Sequence, residues 1–354
     1  MTGPVVGIIA NPVSARDIRR VISHAGCLQI TDRAGIVLRV LAGLAASGVR
    51  EVVMMPDRSG LRGYLTRAMS RAENAGETKF PELRFLDMKV SGQAADSANA
   101  ARQMRRMDVA AIIVLGGDGT HRVVVAECGD VPIAGISTGT NNAFPETREP
   151  TVTGLAVGLA ATGAVPCAAA FADNKRLEVT INDRQEIALV DVAVVRDRVV
   201  GSRAIWKPDS FTELFVAFAE PTSIGMSSIV GLLAPVKRGA PYGRRVIFER
   251  PETAPFRLSA PIAPGLMQKV GVQSVETIKL HAPMTPTAPA GSLAFDGERE
   301  VTFSHDDEVR IILRDAAFRT IDVGACMAHA ATKGRFVEAD GALSVFTRQL
   351  GGSA

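Results

Sequence analysis

The sequence predicts an α/β domain, built on a parallel sheet with helices on both faces, followed by an antiparallel β-sandwich domain. Three observations lead there. Over the first 145 residues, short apolar runs alternate with longer helix-period stretches. Beyond about Pro150 the pattern changes to short strand-like runs separated by tight turns. Pro255, Pro261, Pro264, Pro283, Pro286 and Pro289 then punctuate the second half and mark long loops.

Taken in order, Val5–Ala10 is a buried strand, and Ile18–Ser47 carries helical stretches broken at Gly26. Strands over Glu51–Met55, Leu83–Met88, Val109–Leu115 and Val131–Ile136 alternate with helices over Leu61–Ala75, Ala94–Met107 and from His121 onward. A short apolar helix spans Gly154–Thr162. Leu177–Ile181 and Glu186–Val195 flank the hairpin turn Asn182-Asp183. Further strands fall at Arg245–Phe248, Thr277–His281, Ser292–Phe295, Glu300–Phe303, Val309–Leu313 and Thr320–Val323. The expected division is residues 1–145, 146–325, and a tail 326–354 with a route back to the first domain.

With 354 residues, 47% of them apolar and 22% charged, the chain supplies core for two domains and does not have a disordered composition. Forty basic against 37 acidic residues give a net charge of +3. The basic residues are scattered, which excludes a nucleic-acid stripe and suits anionic small molecules. Cys27, Cys128, Cys167 and Cys326 stand far apart, as reduced thiols in a cytoplasmic protein do, without the spacing of a zinc site. No basic start with an apolar middle marks a signal peptide, and no apolar run reaches membrane-span length. Assembly into homo-oligomers is compatible with all of this.

The most informative stretch is Gly116-Gly117-Asp118-Gly119-Thr120, in which an apolar strand runs into three glycines around one carboxylate. Glycine permits a sharp turn and lets amides approach phosphate oxygens, while the following helix points its positive end at the same place. Asp118 is not needed for the turn; beside phosphates it has a role if it holds Mg²⁺ or takes a proton. One strand later, Thr138-Gly139-Thr140-Asn141-Asn142 offers hydroxyls and amides suited to phosphate or ribose oxygens. Asn11-Pro12 closes the first strand in the same way, and its Asn side chain either contacts a ligand or braces a neighbouring loop. The three loops should share one edge of the sheet. The histidines read as structural, except that His121, at the helix start, is placed to reach a phosphate. Lys175, Lys207 and Lys237 could attract an anion, with nothing singling one out.

Together with Phe295-Asp296-Gly297-Glu298, these loops resemble the superfamily that joins NAD kinases with diacylglycerol and sphingosine kinases. Within it, Asn11-Pro12-Val13-Ser14-Ala15-Arg16-Asp17-Ile18-Arg19-Arg20 and the Leu28–Asp32 region are most similar to the ATP-NAD-kinase-like branch of acetoin catabolism protein X. The resemblance implies an active site between the two domains. It makes Asp118 the loop aspartate of catalysis or Mg²⁺ positioning. Gly116, Gly117, Gly119 and Thr120 would line the ATP phosphates, and Thr138, Gly139, Thr140, Asn141 and Asn142 would extend the cradle, with Asn11 beside it. Asn142 stands where lipid kinases carry Asp. Asp296 and Glu298 would bring the catalytic acid from the second domain. Ala188-Leu189-Val190-Asp191 resembles the NAD-contacting segment of NAD kinases, with Val190 in place of its Asn and Asp191 in place of its Glu. Pro221-Thr222-Ser223 resembles a second such segment, making Asp191 and Thr222 the substrate-side candidates.

The implied activity is an ATP- and Mg²⁺-dependent kinase acting on a hydroxyl of NAD or a related small molecule, linked to acetoin catabolism. Either Asp118 or Asp296 would serve as base. Two other readings compete: a lipid or sphingoid kinase, favoured by Asp-Gly-Glu, and a nucleotide-binding regulator without catalysis, favoured by Val190 and Asn142.

Overall fold

A computed structural model describes residues 3–11, 28–76, 79–139, 142–196, 210–297 and 299–337. The expected helical stretch before Leu28 lies outside them, as do Cys27, Thr140, Asn141, Lys207 and Glu298.

The first half builds the predicted alternation. Strand β1 (Val5–Ala10) leads to α1 (Ile30–Ala46), β2 (Glu51–Met54), α2 (Leu61–Asn74), β3 (Glu82–Phe85), α3 (Ala94–Arg106), β4 (Ala111–Gly116), α4 (Asp118–Val125) and β5 (Ile133–Ser137). These strands lie parallel in the order β3-β2-β1-β4-β5. β4, the sequence's most apolar run, is buried along its whole length because helices cover both faces. One face packs Val6, Ile8, Ile113 and Leu115 against α1 and α2, and the other packs Ile9, Ile112 and Val114 against α3 and α4. Asp96 starts α3 by accepting from the amides of Ser91, Gly92 and Gln93.

The chain continues through α5 (Pro150–Ala161), α6 (Cys167–Ala170), β6 (Phe171–Ile181), β7 (Arg184–Ala188), β8 (Asp191–Val195), β9 (Phe211–Val216), α7 (Ser227–Leu233), β10 (Tyr242–Glu249), β11 (Phe256–Ala263) and β12 (Leu266–Lys279). It ends in β13 (Pro283–Met284), β14 (Gly291–Phe295), β15 (Arg299–Phe303), β16 (Val309–Ile321) and α8 (Val323–Thr332). Glu149 caps α5 by accepting from Thr151 and Val152, with Pro150 opening the helix. α5 then lies backbone to backbone on α1. A Cβ on Gly154 would sit 2.3 Å from the Val40 carbonyl oxygen, and one on Gly43 would sit 2.4 Å from that of Thr151. α8 packs Val323, Cys326 and Ala330 into the core shared with α1 and α5, and residues 338–354 of the expected tail lie outside the described residues.

The second half contributes to both sheets. β16 pairs parallel with β5 at Thr320 and Ile133 and antiparallel with β6, so β16, β6, β7 and β13 extend the first sheet. The second sheet is antiparallel throughout, in the order β11-β12-β10-β9-β8-β14-β15. Its central strands are apolar on both sides. Val192, Val194, Phe215 and Phe295 face the β6–β16 layer, whereas Ala193, Val195, Leu214 and Val216 face α7 and β11. Fully burying Phe215 and Phe295 contributes about 3 kcal/mol each.

Several elements differ from expectation. Pro261 does not mark a loop, whereas Pro255 and Pro264 fall in the turns on either side: β11 runs through Pro261, which an edge strand tolerates because one side of it has no ladder to feed. Glu186–Val195 is two strands, since the amides of Leu189, Val190 and Asp191 bond the Asp296 carboxylate instead of a neighbouring strand. Val309–Ile321 is one strand with an irregularity between Arg314 and Phe318. α4 begins at Asp118, three residues earlier than His121.

Candidate active site

The carboxyl ends of β1, β4 and β5 lie side by side, and order β2-β1-β4 puts the reversal of strand order between β1 and β4, where open α/β sheets bind ligands. The glycine loop after β4 and the threonine loop after β5 touch directly, with the Thr138 amide donating to the Gly116 carbonyl at 3.3 Å. Gly117 is the extended residue before α4, and Gly119 is buried in the helix's first turn.

Asp118 ties these two loops together. One carboxylate oxygen accepts from the Ala143 amide at 2.9 Å and the other from the Phe144 amide at 2.8 Å. Packing is tight at glycines 116, 117 and 139: a Cβ would fall 2.6 Å from Thr120 Cβ at the first, and 2.7 Å from Asn142 Oδ1 and 2.6 Å from Asn142 Nδ2 at the other two, where it would displace the Asn142 amide. The Asn142 side chain therefore lies between the two glycine loops, where it donates to Ser137 Oγ at 2.8 Å. An Asp there would place a second carboxylate beside Asp118 and could not make that donation.

α4 also reaches the second sheet. Arg122, one turn after Asp118, is buried, donates to the Phe295 carbonyl at 2.7 Å, and stands 4.0 Å from the Asp296 carboxylate. Asp296 has φ of 49° ahead of Gly297 at 70°, the left-handed turn that Asp-Gly favours. Its carboxylate accepts from the amides of Leu189, Val190 and Asp191, and burial pushes its pKa up against the pull of Arg122 and those amides. Asp191 begins β8, buried beside this turn, and its carbonyl accepts from the Asp296 amide. The structure thus brings Asp118, Thr138, Asn142, Asp191 and Asp296 around one helix.

Two other candidates sit apart from that group, and a third, His121, is buried beneath it. Asn11 braces α3, donating to Ser97 Oγ at 3.0 Å and the Gln93 carbonyl at 3.3 Å, and its own carbonyl accepts from Arg33. Thr222 is exposed in the turn before α7. His121 does not reach toward a phosphate. It is fully buried, its Nδ1–H donates to the Gly117 carbonyl at 2.8 Å, and its ring lies 5.6 Å from that of Phe144. Burial drives its pKa down to about 4, so it is neutral near pH 7.

Arg238 is the residue sequence reasoning missed. From the loop between α7 and β10 it donates to the carbonyls of Ala143 and Phe144, behind the amides that Asp118 holds. Its neighbour Lys237 drew attention as a lone basic residue, and no local pattern distinguishes the two.

Among the described residues, no group of three His, Cys, Asp or Glu side chains assembles a metal cage. Asp118, whose two oxygens each already accept a backbone amide, would meet a Mg²⁺ ion carried by nucleotide phosphates only through its remaining lone pairs, and such an ion needs only one or two protein carboxylates. The amides opening α4 fit the phosphates themselves. No helix among the described residues is long and apolar enough to cross a membrane.

The ATP-NAD kinase N-terminal domain family matches residues 6–163, and the acetoin catabolism protein X C-terminal domain family matches residues 175–316. A solved structure described as "a putative diacylglycerol kinase from Bacillus anthracis" aligns over 91% of this chain and 98% of its own, at 13% identity and a TM-score of 0.48. Acetoin catabolism protein X of Cupriavidus necator is 53% identical over 332 residues, covering 92% of each chain. An identity that high over nearly the whole of both chains leaves one conclusion: the chain belongs to the acetoin catabolism protein X family, with an NAD kinase-like first half.

Proposed function

We propose that this protein is an ATP-dependent phosphotransferase of the NAD kinase-like type, whose acceptor is a hydroxyl of NAD or a related small molecule. The observation that carries the reading is the Arg122 bridge. It joins the helix of the Gly-Gly-Asp-Gly-Thr loop to the Asp-Gly turn across 173 positions of sequence. A phosphate loop alone supports binding; a second acidic segment held beside it supports transfer to an acceptor.

The bound nucleotide with its Mg²⁺ supplies the phosphoryl group and neutralises its charge. The chain supplies position. The start of α4 and the loop after β5 cradle the phosphates, and Asp118 fixes these two loops relative to each other. Asp296 and Gly297 form the left-handed turn that follows β14, and the Asp296 oxygens are taken up by backbone amides. We therefore assign the acceptor's proton to Glu298 and give Asp118 and Asp296 positioning roles. To Asp191, buried beside this turn, we assign contact with the acceptor. We further propose the cytoplasm as the site of action and acetoin catabolism as the setting, the latter from the relative's name.

The same geometry favours one competitor. Both aspartates serve the backbone, as they would in a regulator that binds nucleotide without turnover. The test is incubation of pure protein with Mg²⁺-ATP and, in parallel, NAD, NADH and a lipid extract, followed by detection of new phosphate esters. NADP or another phosphorylated small molecule supports the proposal. A phospholipid product moves the acceptor to lipids, and saturable ATP binding with no product selects the regulator.

A further inference from the structure

The Ala143–Phe144 segment is gripped from two directions. Asp118 accepts its two amides, and Arg238 donates through Nη2 to its two carbonyls, at 3.0 Å and 2.7 Å. The first grip comes from the parallel sheet and the second from the antiparallel one. The Arg238 guanidinium lies 4.3 Å from the centre of the Phe218 ring and 5.1 Å from that of Phe144. Rings on this spacing hold a planar cation in place. Behind Arg238 stands Lys175 on β6, only 7% exposed. Its ammonium donates to the carbonyls of Tyr242, at 2.6 Å, and Lys237, at 3.5 Å, which bracket the loop carrying Arg238. Burying an ammonium on two neutral carbonyls is costly. Packing alone would accept an apolar side chain there; the ammonium fixes a loop.

We infer that Arg238 is a positioning residue for the phosphate loop, seated in turn by Lys175. The Lys175–Arg238 pair makes the nucleotide-binding shape of residues 142–144 depend on the docking of the second sheet. Both bonds leave a single nitrogen, so a lysine could in principle make them, but it loses the planar stack on Phe218 and Phe144 that seats the guanidinium. The consequence for ligand binding rests on the nucleotide-binding function proposed above; the grip on the loop does not.

The experiment follows two readouts in the full chain and in the Arg238→Gln, Arg238→Lys and Lys175→Met variants. One is hydrogen–deuterium exchange at the amides of Ala143 and Phe144, with β1 and β4 amides as the fold control. The other is affinity for Mg²⁺-ATP. Loss of the paired bonds in Arg238→Gln is expected to speed exchange at 143 and 144 about tenfold or more, with β1 and β4 unchanged, and to weaken ATP binding about tenfold. Arg238→Lys should fall between, and Lys175→Met should loosen the same two amides to a smaller extent. Wild-type exchange at 143 and 144 in Arg238→Gln overturns the inference. Faster exchange with undiminished affinity overturns the positioning role. If wild-type protein binds no ATP, the proposed function fails, while the exchange measurement still decides whether Arg238 holds the loop.

Discussion

Replacing Asp118 with Asn separates a carboxylate that serves chemistry from one that serves the fold. In the structure both oxygens accept amides, at 2.9 Å from Ala143 and 2.8 Å from Phe144. Hydrogen bonds to a charged acceptor are worth about 1.5–3 kcal/mol each. Asn retains one acceptor oxygen, so one bond survives in weaker, neutral form. Its NH₂ group faces the other amide, donor against donor, in a site where Asp118 is 6% exposed. The expected loss is therefore roughly 2–4 kcal/mol, near the sum of one bond weakened and one amide left unpaired. Urea unfolding measures it as a midpoint lowered by about 1 M at a slope of about 3 kcal/mol/M. Mg²⁺-ATP affinity should fall in the same variant. A purely catalytic aspartate would leave the midpoint within about 0.2 M of wild type, and that result would refute the reasoning.

Three further outcomes follow from geometry. His121 has a folded pKa of about 4 against an ordinary 6.5, so between those values the unfolded chain binds a proton that the folded chain refuses. Stability should thus fall as pH drops from 6.5 toward 4, by up to about 3 kcal/mol, and thermal melts of His121→Phe over that range should show a shallower slope. Gly139→Ala drives a methyl group into Asn142 and should cost about 1–3 kcal/mol, and adding Asn142→Ala should restore most of it. Glu213 is fully buried, with Arg245 at 2.5 Å and the Thr287 amide at 2.5 Å. Glu213→Ala should cost about 3–5 kcal/mol in denaturant melts, and the double variant with Arg245→Met should cost less.

The parallel half was legible because burial on both faces writes long apolar runs, as in β4, and because glycines with a carboxylate at a strand end have few structural uses. The convergence of the β4 and β5 loops follows from that pattern. What Asp118 bonds to was not legible, because its partners are backbone amides and any sequence supplies those. Arg238 was hidden for a related reason: its targets are carbonyls, and its distance in sequence from residue 143 erases any local spacing. The break between β7 and β8 falls inside the continuous apolar run Ile187-Ala188-Leu189-Val190, and only Asp296, more than a hundred residues later, takes those amides out of the ladder. Pro261 misled because proline forbids only a strand with neighbours on both sides, and edge position is a property of the finished sheet. His121 was misjudged because the start of a helix looks exposed in sequence, whereas this one lies under Phe144.

The joint between β5 and β16 has a consequence for how the chain is made. β5 lies next to β4 on one side, and its other neighbour, met at Thr320, is encoded about 180 residues further on. At roughly 5–20 residues per second, a ribosome needs about 10–40 s to deliver it. Throughout that interval the growing parallel sheet presents an unfinished apolar border, the kind of border that recruits strands from other molecules. A polypeptide released before Thr320 keeps that border permanently. Its solubility in the cell is therefore set by the speed and completeness of translation, as well as by the stability of the finished fold.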